Sequence, residues 1–171
     1  MKKSSFPERP LGKEQWMRII DILSWIALMF SIVLSYILNI LVLDVLLSIV
    51  GWLLFTVGMY IHYLSHLAHP RAHKSIEEID YIAQKGVYAW IRHPGYLGLT
   101  LVAFGIAIAF GSFPSIIIAL ILAVHYYMLA CKEEKWMLKK FGIRYEEYMR
   151  KVPDRFVPIR KTLAKLRSRS I

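Results

Sequence analysis

Residues 19–64 read IIDILSWIALMFSIVLSYILNILVLDVLLSIVGWLLFTVGMYIHYL. The hydrocarbon core of a bilayer is about 30 Å thick and needs roughly 20 apolar residues in a helix, because backbone N–H and C=O groups find no partners in lipid. This stretch supplies that length twice, as Ile19 to Leu38 and Leu41 to Leu64, parted by Asn39 and interrupted near the start of the second run by Asp44. A tight helical hairpin is the expected result. Further along, Tyr96 to Phe110 and Pro114 to Cys131 flank Gly111-Ser112-Phe113-Pro114, where glycine and proline favour a turn over a continuing helix. The expected fold is all-α: a polytopic membrane helical bundle of about four transmembrane helices in two hairpins, with a cytosolic interfacial segment and a C-terminal amphipathic helix.

Composition agrees. Of 171 residues, 57% are hydrophobic and the mean hydropathy is +0.45, more apolar surface than a soluble domain can bury. A net charge of +10 raises nucleic acid as a partner, but the basic residues are confined to segments between and beyond the apolar runs. That distribution excludes nucleic acid and suits anionic lipid headgroups. Cys131 is the only cysteine, which rules out an intrachain disulfide and an all-cysteine metal cage. The first apolar run follows a polar, basic lead and lacks a small-residue cleavage site, so it reads as a retained span.

All 22 Lys and Arg residues precede the first run, lie between the second and third, or follow the fourth. The positive-inside rule then puts both termini and the His66 to Arg92 segment in the cytosol. Short loops suggest a prokaryotic cell membrane. The chain divides into an N-terminal hairpin (1–64), a cytosolic interfacial connector (65–92), a ligand-binding half (93–158) and a basic tail (159–171). The connector mixes charges with Ile76, Ile79, Tyr81, Ile82, Val87 and Tyr88, an interfacial pattern. After the fourth run, Trp136, Met137, Leu138, Phe141, Tyr145 and Tyr148 recur on helical spacing, predicting an amphipathic helix that leaves the membrane. Oligomeric state is not legible.

Chemistry concentrates at Arg92-His93-Pro94-Gly95-Tyr96-Leu97-Gly98, where a cation, an imidazole and a phenol gather as the third run enters the membrane. Proline suits the first turn of a helix and holds the preceding residues extended, and a helix N-terminus attracts anions. Glu133-Glu134 emerges from the fourth run on the same side. A carboxylate there can hold a ribose diol or an ammonium group; the alternative is a surface pair with Lys132 and Lys135.

Together, Gly86-Val87-Tyr88-Ala89-Trp90-Ile91-Arg92-His93-Pro94-Gly95-Tyr96-Leu97-Gly98, Glu133-Glu134 and Phe141-Gly142-Ile143-Arg144-Tyr145-Glu146-Glu147-Tyr148 resemble the isoprenylcysteine carboxyl methyltransferase family and its phospholipid methyltransferase relatives, from near His73 to Pro158. The resemblance implies methyl transfer from S-adenosyl-L-methionine to a lipid or lipidated small molecule at the cytosolic face, either a prenylcysteine-like carboxyl group or a phospholipid amine. It places Tyr88, His93, Pro94, Gly95, Tyr96 and Glu133 on the cofactor, with His73, Asp80, Tyr81, Ile82 and Ala83 as further contacts. It also marks one departure: Leu129 stands where the carboxyl methyltransferases carry a substrate-contacting arginine, with His125 one turn earlier as a substitute.

A carboxylate acceptor needs no base, whereas an ammonium must first lose a proton. Arg92, His125 and Glu134 are the candidate catalytic residues, with Glu134, His125 or His93 as bases for an amine. No metal is expected. Two alternatives stay open: a metal-dependent membrane oxidoreductase using His62, His66, His69 and His73, whose spacing aligns them on one helix face, and a non-enzymatic scaffold binding lipid through its basic tail.

Overall fold

The computed structural model describes residues 11–70, 79–160 and 162, with side chains from Trp16 onward. His73 and most of the basic tail lie outside the described residues. Five α-helices and no strand occur among the described residues: α1 (Leu11–Ile37), α2 (Val45–Ala68), α3 (Pro94–Ala109), α4 (Phe113–Phe141) and α5 (Ile143–Lys151). Three are long and apolar enough to cross a bilayer, over Trp16–Ile37, Val45–Ala68 and Phe113–Phe141. The chain is a polytopic helical membrane protein.

Each boundary has a local cause. Asp44 falls outside the second span: extended at φ −125°, it accepts the Leu47 N–H at 2.9 Å and caps α2. A side-chain oxygen at this position satisfies one of the orphan N–H groups of a helix start. Pro94 fixes the start of α3, and Gly111, at φ +59°, turns the chain after its end. Four apolar helices are present as expected, and three of them have full spanning length; at 1.5 Å per residue, the 16 residues of α3 reach about 24 Å. One correction concerns the amphipathic helix expected through Tyr148. α4 instead runs unbroken for 29 residues, the chain breaks at Gly142 with φ +54°, and α5 starts anew.

The helices pack in the order α2, α3, α4, α1. Backbones of α2 and α3 nearly touch. A Cβ on Gly58 would stand 2.7 Å from the Gly98 carbonyl oxygen, and one on Gly105 would stand 2.5 Å from the Phe55 nitrogen. Between helices in lipid, dispersion contacts replace the hydrophobic effect, so bare backbone facing bare backbone is the favourable arrangement. The α1–α4 seam is polar by contrast: Ser35 bonds Ser112 at 2.9 Å and Ser31 bonds Ser115 at 2.7 Å. Val42 donates to the Gly111 carbonyl at 3.0 Å, joining the two tight turns at one end of the bundle. The connector, the end of α4 and α5 gather at the other.

Candidate functional site

Pro94 dictates the local path. It cannot donate and forces His93 out of helical geometry, to φ −128° and ψ 61°. The freed backbone N–H groups of Arg92 and His93 are then taken by the returning C-terminal segment, donating to the carbonyls of Asp154 at 3.1 Å and Arg155 at 3.0 Å. The motif is therefore clamped from a distant part of the chain, and Arg92, His93 and Pro94 are buried.

Glu134 is the centre of that clamp. It is 3% exposed. Its Oε1 accepts from Arg92 Nε at 2.8 Å, Arg155 Nε at 3.0 Å and His93 Nε2 at 3.2 Å, and its Oε2 accepts from Arg155 Nη2 at 2.6 Å. Arg92 also donates Nη1–H to the Val152 carbonyl at 2.7 Å. Two guanidiniums converge on this one carboxyl, and bonding to Glu134 pushes the Arg155 guanidinium higher than its ordinary range against the opposing effect of burial. A carboxylate so engaged is a poor proton acceptor. The geometry thus gives Arg92 and Glu134 the work of joining α3, α4 and the C-terminal segment, rather than exposing them to a reacting group.

Glu133, its neighbour, has the opposite environment. Its side chain is 40% exposed. Tyr96 donates its hydroxyl to Oε1 at 2.5 Å, and His93 Nδ1 lies 3.6 Å from Oε2. One carboxylate oxygen and several lone pairs remain open beside the N-terminus of α3, whose dipole favours negative charge. The Tyr96 ring stacks between His93 (centroids 5.9 Å, 17°) and Tyr126 (5.4 Å, 15°), which fixes the hydroxyl that holds Glu133. Burial and then the Glu133 charge push the Tyr88 phenol well above its ordinary value, so it stays protonated. Gly95, on the same turn, packs against α2, where an added Cβ would stand 3.1 Å from Ser65 Oγ, and His62 Nδ1 meets its carbonyl at 3.2 Å.

Of the residues singled out from sequence, Arg92, His93, Pro94, Gly95, Tyr96, Glu133 and Glu134 converge at the start of α3 and the end of α4. Tyr88 joins them from the short 3-10 turn Gly86–Ala89 and is held by Tyr148, whose hydroxyl donates to its carbonyl at 2.9 Å. Tyr81 bonds His69 Nδ1 at 2.7 Å, Ile82 packs on the Tyr145–Tyr148–Val152 cluster, Ala83 is half-buried and Asp80 exposed. His125 stands two turns deeper along α4, beside Tyr126 rather than Glu133. His62 and His66 bond each other through Nε2 at 3.1 Å while His69 turns to Tyr81, so these three histidines do not share a centre. Arg155 was not anticipated; it follows Glu134 by 21 residues in no motif, and its only signal is a cation next to Asp154.

Comparison with known proteins points the same way. A family model described as phospholipid methyltransferase matches residues 46–144. The chain is 31% identical over 91 residues to a protein-S-isoprenylcysteine O-methyltransferase of Schizosaccharomyces pombe, covering 53% of this chain and 37% of that protein. It is 33% identical over 111 residues to the protein of the same name in Saccharomyces cerevisiae, covering 61% of this chain and 46% of the relative. The chain therefore spans less than half the length of these relatives. With the family model covering more than half of its residues, including the whole of α3 and the Glu133–Glu134 pair, the chain belongs to the phospholipid methyltransferase family.

Proposed function

We propose that the chain transfers a methyl group from S-adenosyl-L-methionine to a lipid-bearing acceptor at the cytosolic membrane face. The observation that carries this reading is the division of labour between adjacent acids: Glu134 is consumed by three donors, whereas Glu133 is half-open and aimed by Tyr96 at 2.5 Å. A carboxylate with open lone pairs fits a ribose diol, and His93 and Tyr88 complete the surround. Bound there, S-adenosyl-L-methionine would supply an electrophilic methyl group on a sulfonium. Tyr96 and His93 fix the carboxylate, and the buried Glu134 clamp keeps the wall rigid, so alignment of the reactants is the main contribution of the protein. Clustering of Lys and Arg at this end of the bundle supports a cytosolic site.

The names of the two yeast relatives point to a prenylcysteine carboxyl group as acceptor, and the family description points to a phospholipid. A carboxylate arrives ionised, and its methylation asks nothing of Glu134. The test is equilibrium binding of labelled S-adenosyl-L-methionine to detergent-solubilised protein. Saturable binding that weakens in Glu133→Gln is expected; no saturable binding rejects the proposal.

A further inference from the structure

The seam between α1 and α4 changes character toward the site. Its serine pairs satisfy each other, but one turn and a half inside the Trp16–Ile37 span stands Asp21, a carboxylate. Tyr126 donates its hydroxyl to Asp21 Oδ1 at 2.8 Å and itself receives the Trp25 Nε1–H at 2.9 Å. No ion pair reaches Asp21 among the described residues. Lys132, nearer the surface on the same seam, directs its amine to Met17 Sδ at 3.5 Å. An ionised carboxylate can accept about four hydrogen bonds, and at membrane depth an acid with a single neutral donor is costly unless something else answers it.

The surroundings indicate what would answer it. Asp21 and Trp25 are half-buried, not sealed, so the position opens between the two helices. The Tyr126 ring lies parallel to Tyr96 at 5.4 Å, and Asp21 is close enough for its charge to act on the Tyr96 hydroxyl and on His125. The Nε2 atom of His125 is itself buried without a hydrogen bond among the described residues. A carboxylate beside a half-buried indole is an arrangement that can recognise a cation, with Tyr126, stacked on Tyr96, closing it from behind. Tyr96 links this place to the proposed donor site, since its hydroxyl binds Glu133 while its ring faces Tyr126.

We propose that Asp21, with the Trp25 ring beside it and the Tyr126 hydroxyl behind it, is a subsite for a lipid-borne ammonium group on the methyl acceptor, entered from the bilayer between α1 and α4. Naming the ligand the acceptor rests on the methyl-transfer reading above; the recognition of an ammonium group does not. The residues matched by the family model begin at 46, so Asp21 and Trp25 lie outside them. The ammonium could be an aminophospholipid headgroup or the α-amine of a lipidated cysteine, and the two sources are separable.

The experiment measures binding of soluble lipid probes to the detergent-solubilised full chain by thermophoresis. Two pairs are used: short-chain phosphatidylethanolamine against phosphatidylglycerol, and S-farnesylcysteine against its N-acetyl derivative. The wild type should prefer the amine-bearing member of at least one pair by about tenfold, the scale of a hydrogen bond to a charged group. Whichever pair shows the preference identifies the source. Asp21→Asn keeps an oxygen for the Tyr126 hydroxyl and removes only the charge, so the preference should vanish; Asp21→Ser serves if that variant does not fold. Equal affinities within both pairs for the wild type, or a preference that survives the neutral variant, overturns the proposal and leaves Asp21 as a helix clasp. Binding of S-adenosyl-L-methionine to the same preparation separates the two readings: its absence beside an intact, Asp21-dependent ammonium preference rejects methyl transfer and keeps the subsite.

Discussion

Glu133 and Glu134 are adjacent in sequence, yet their removal should be read by different instruments. Glu134→Gln deletes the charge shared by Arg92 and Arg155, whose side chains are 6% and 25% exposed. Breaking a buried ion pair by removing one partner costs about 3–5 kcal/mol, because the survivor is left uncompensated in a poor solvent for charge. Glutamine keeps one acceptor oxygen and Arg155 can turn toward water, so a loss near the lower end, about 3 kcal/mol, is expected. At roughly 2–4 °C per kcal/mol for a chain of this size, the melting temperature should fall by about 6–12 °C. Arg155→Ala alone should cost about 1 kcal/mol, since its half-buried guanidinium is still partly screened by solvent. Once Glu134 is neutral, losing Arg155 should cost little more, giving a coupling energy of about 1 kcal/mol in a double-mutant cycle followed by thermal denaturation in detergent. Glu133→Gln, 40% exposed, should leave the melting temperature nearly unchanged and weaken S-adenosyl-L-methionine binding instead. Additivity of the cycle within about 0.3 kcal/mol, or equal melting losses from the two glutamate variants, would refute the division between clamp and ligand carboxylate.

Tyr96→Phe keeps the ring stack but removes the 2.5 Å bond to Glu133, so S-adenosyl-L-methionine affinity should drop about tenfold, as for a lost hydrogen bond to a charged group; unchanged affinity in a binding titration would mean Glu133 needs no such aiming. Gly58→Ala puts a methyl group 2.7 Å from the Gly98 carbonyl oxygen and should destabilise the α2–α3 pair by about 1–3 kcal/mol, measured as an earlier melting transition. His69 is held below its ordinary pKa of 6.5, first by burial and then by His66. The unfolded chain therefore binds a proton more readily than the folded one, and stability should be lost as pH falls through 6.5 and below; His69→Gln, which keeps a partner for Tyr81, should flatten that part of a melting-temperature profile.

The helices were legible because lipid enforces a length rule that polar interruptions make visible. Where the reading slipped, it slipped at residues whose role depends on partners elsewhere. Asp44 looks like a charge inside a span until Leu47 is seen to use it as a cap. The apolar run from Tyr96 reads as a span; the helix it forms is 16 residues long, set between Pro94 and Gly111, and what holds it in the bundle is the glycine-lined contact with α2. Gly51, Gly58, Gly98 and Gly105 are separated by seven residues within each helix, yet nothing in either run alone says that they face each other.

The site divides along the same line. His93, Gly95, Tyr96 and Glu133 can be picked out because helix starts and membrane exits are recognisable places, and a family pattern spans them. The role of Glu134 could not be read that way, since an acid beside an acid resembles its neighbour until the burial of each is known. Its assignment turns on Arg155, which arrives only after α4 has ended, Gly142 has broken the helix and α5 has turned the chain back, so that the Arg155 carbonyl takes the His93 N–H. That return brings a second guanidinium to a carboxylate already bonded by Arg92, and the buried acid becomes a fastener. Glu133, one position earlier and pointing elsewhere on the helix, escapes both arginines and keeps its lone pairs for a ligand.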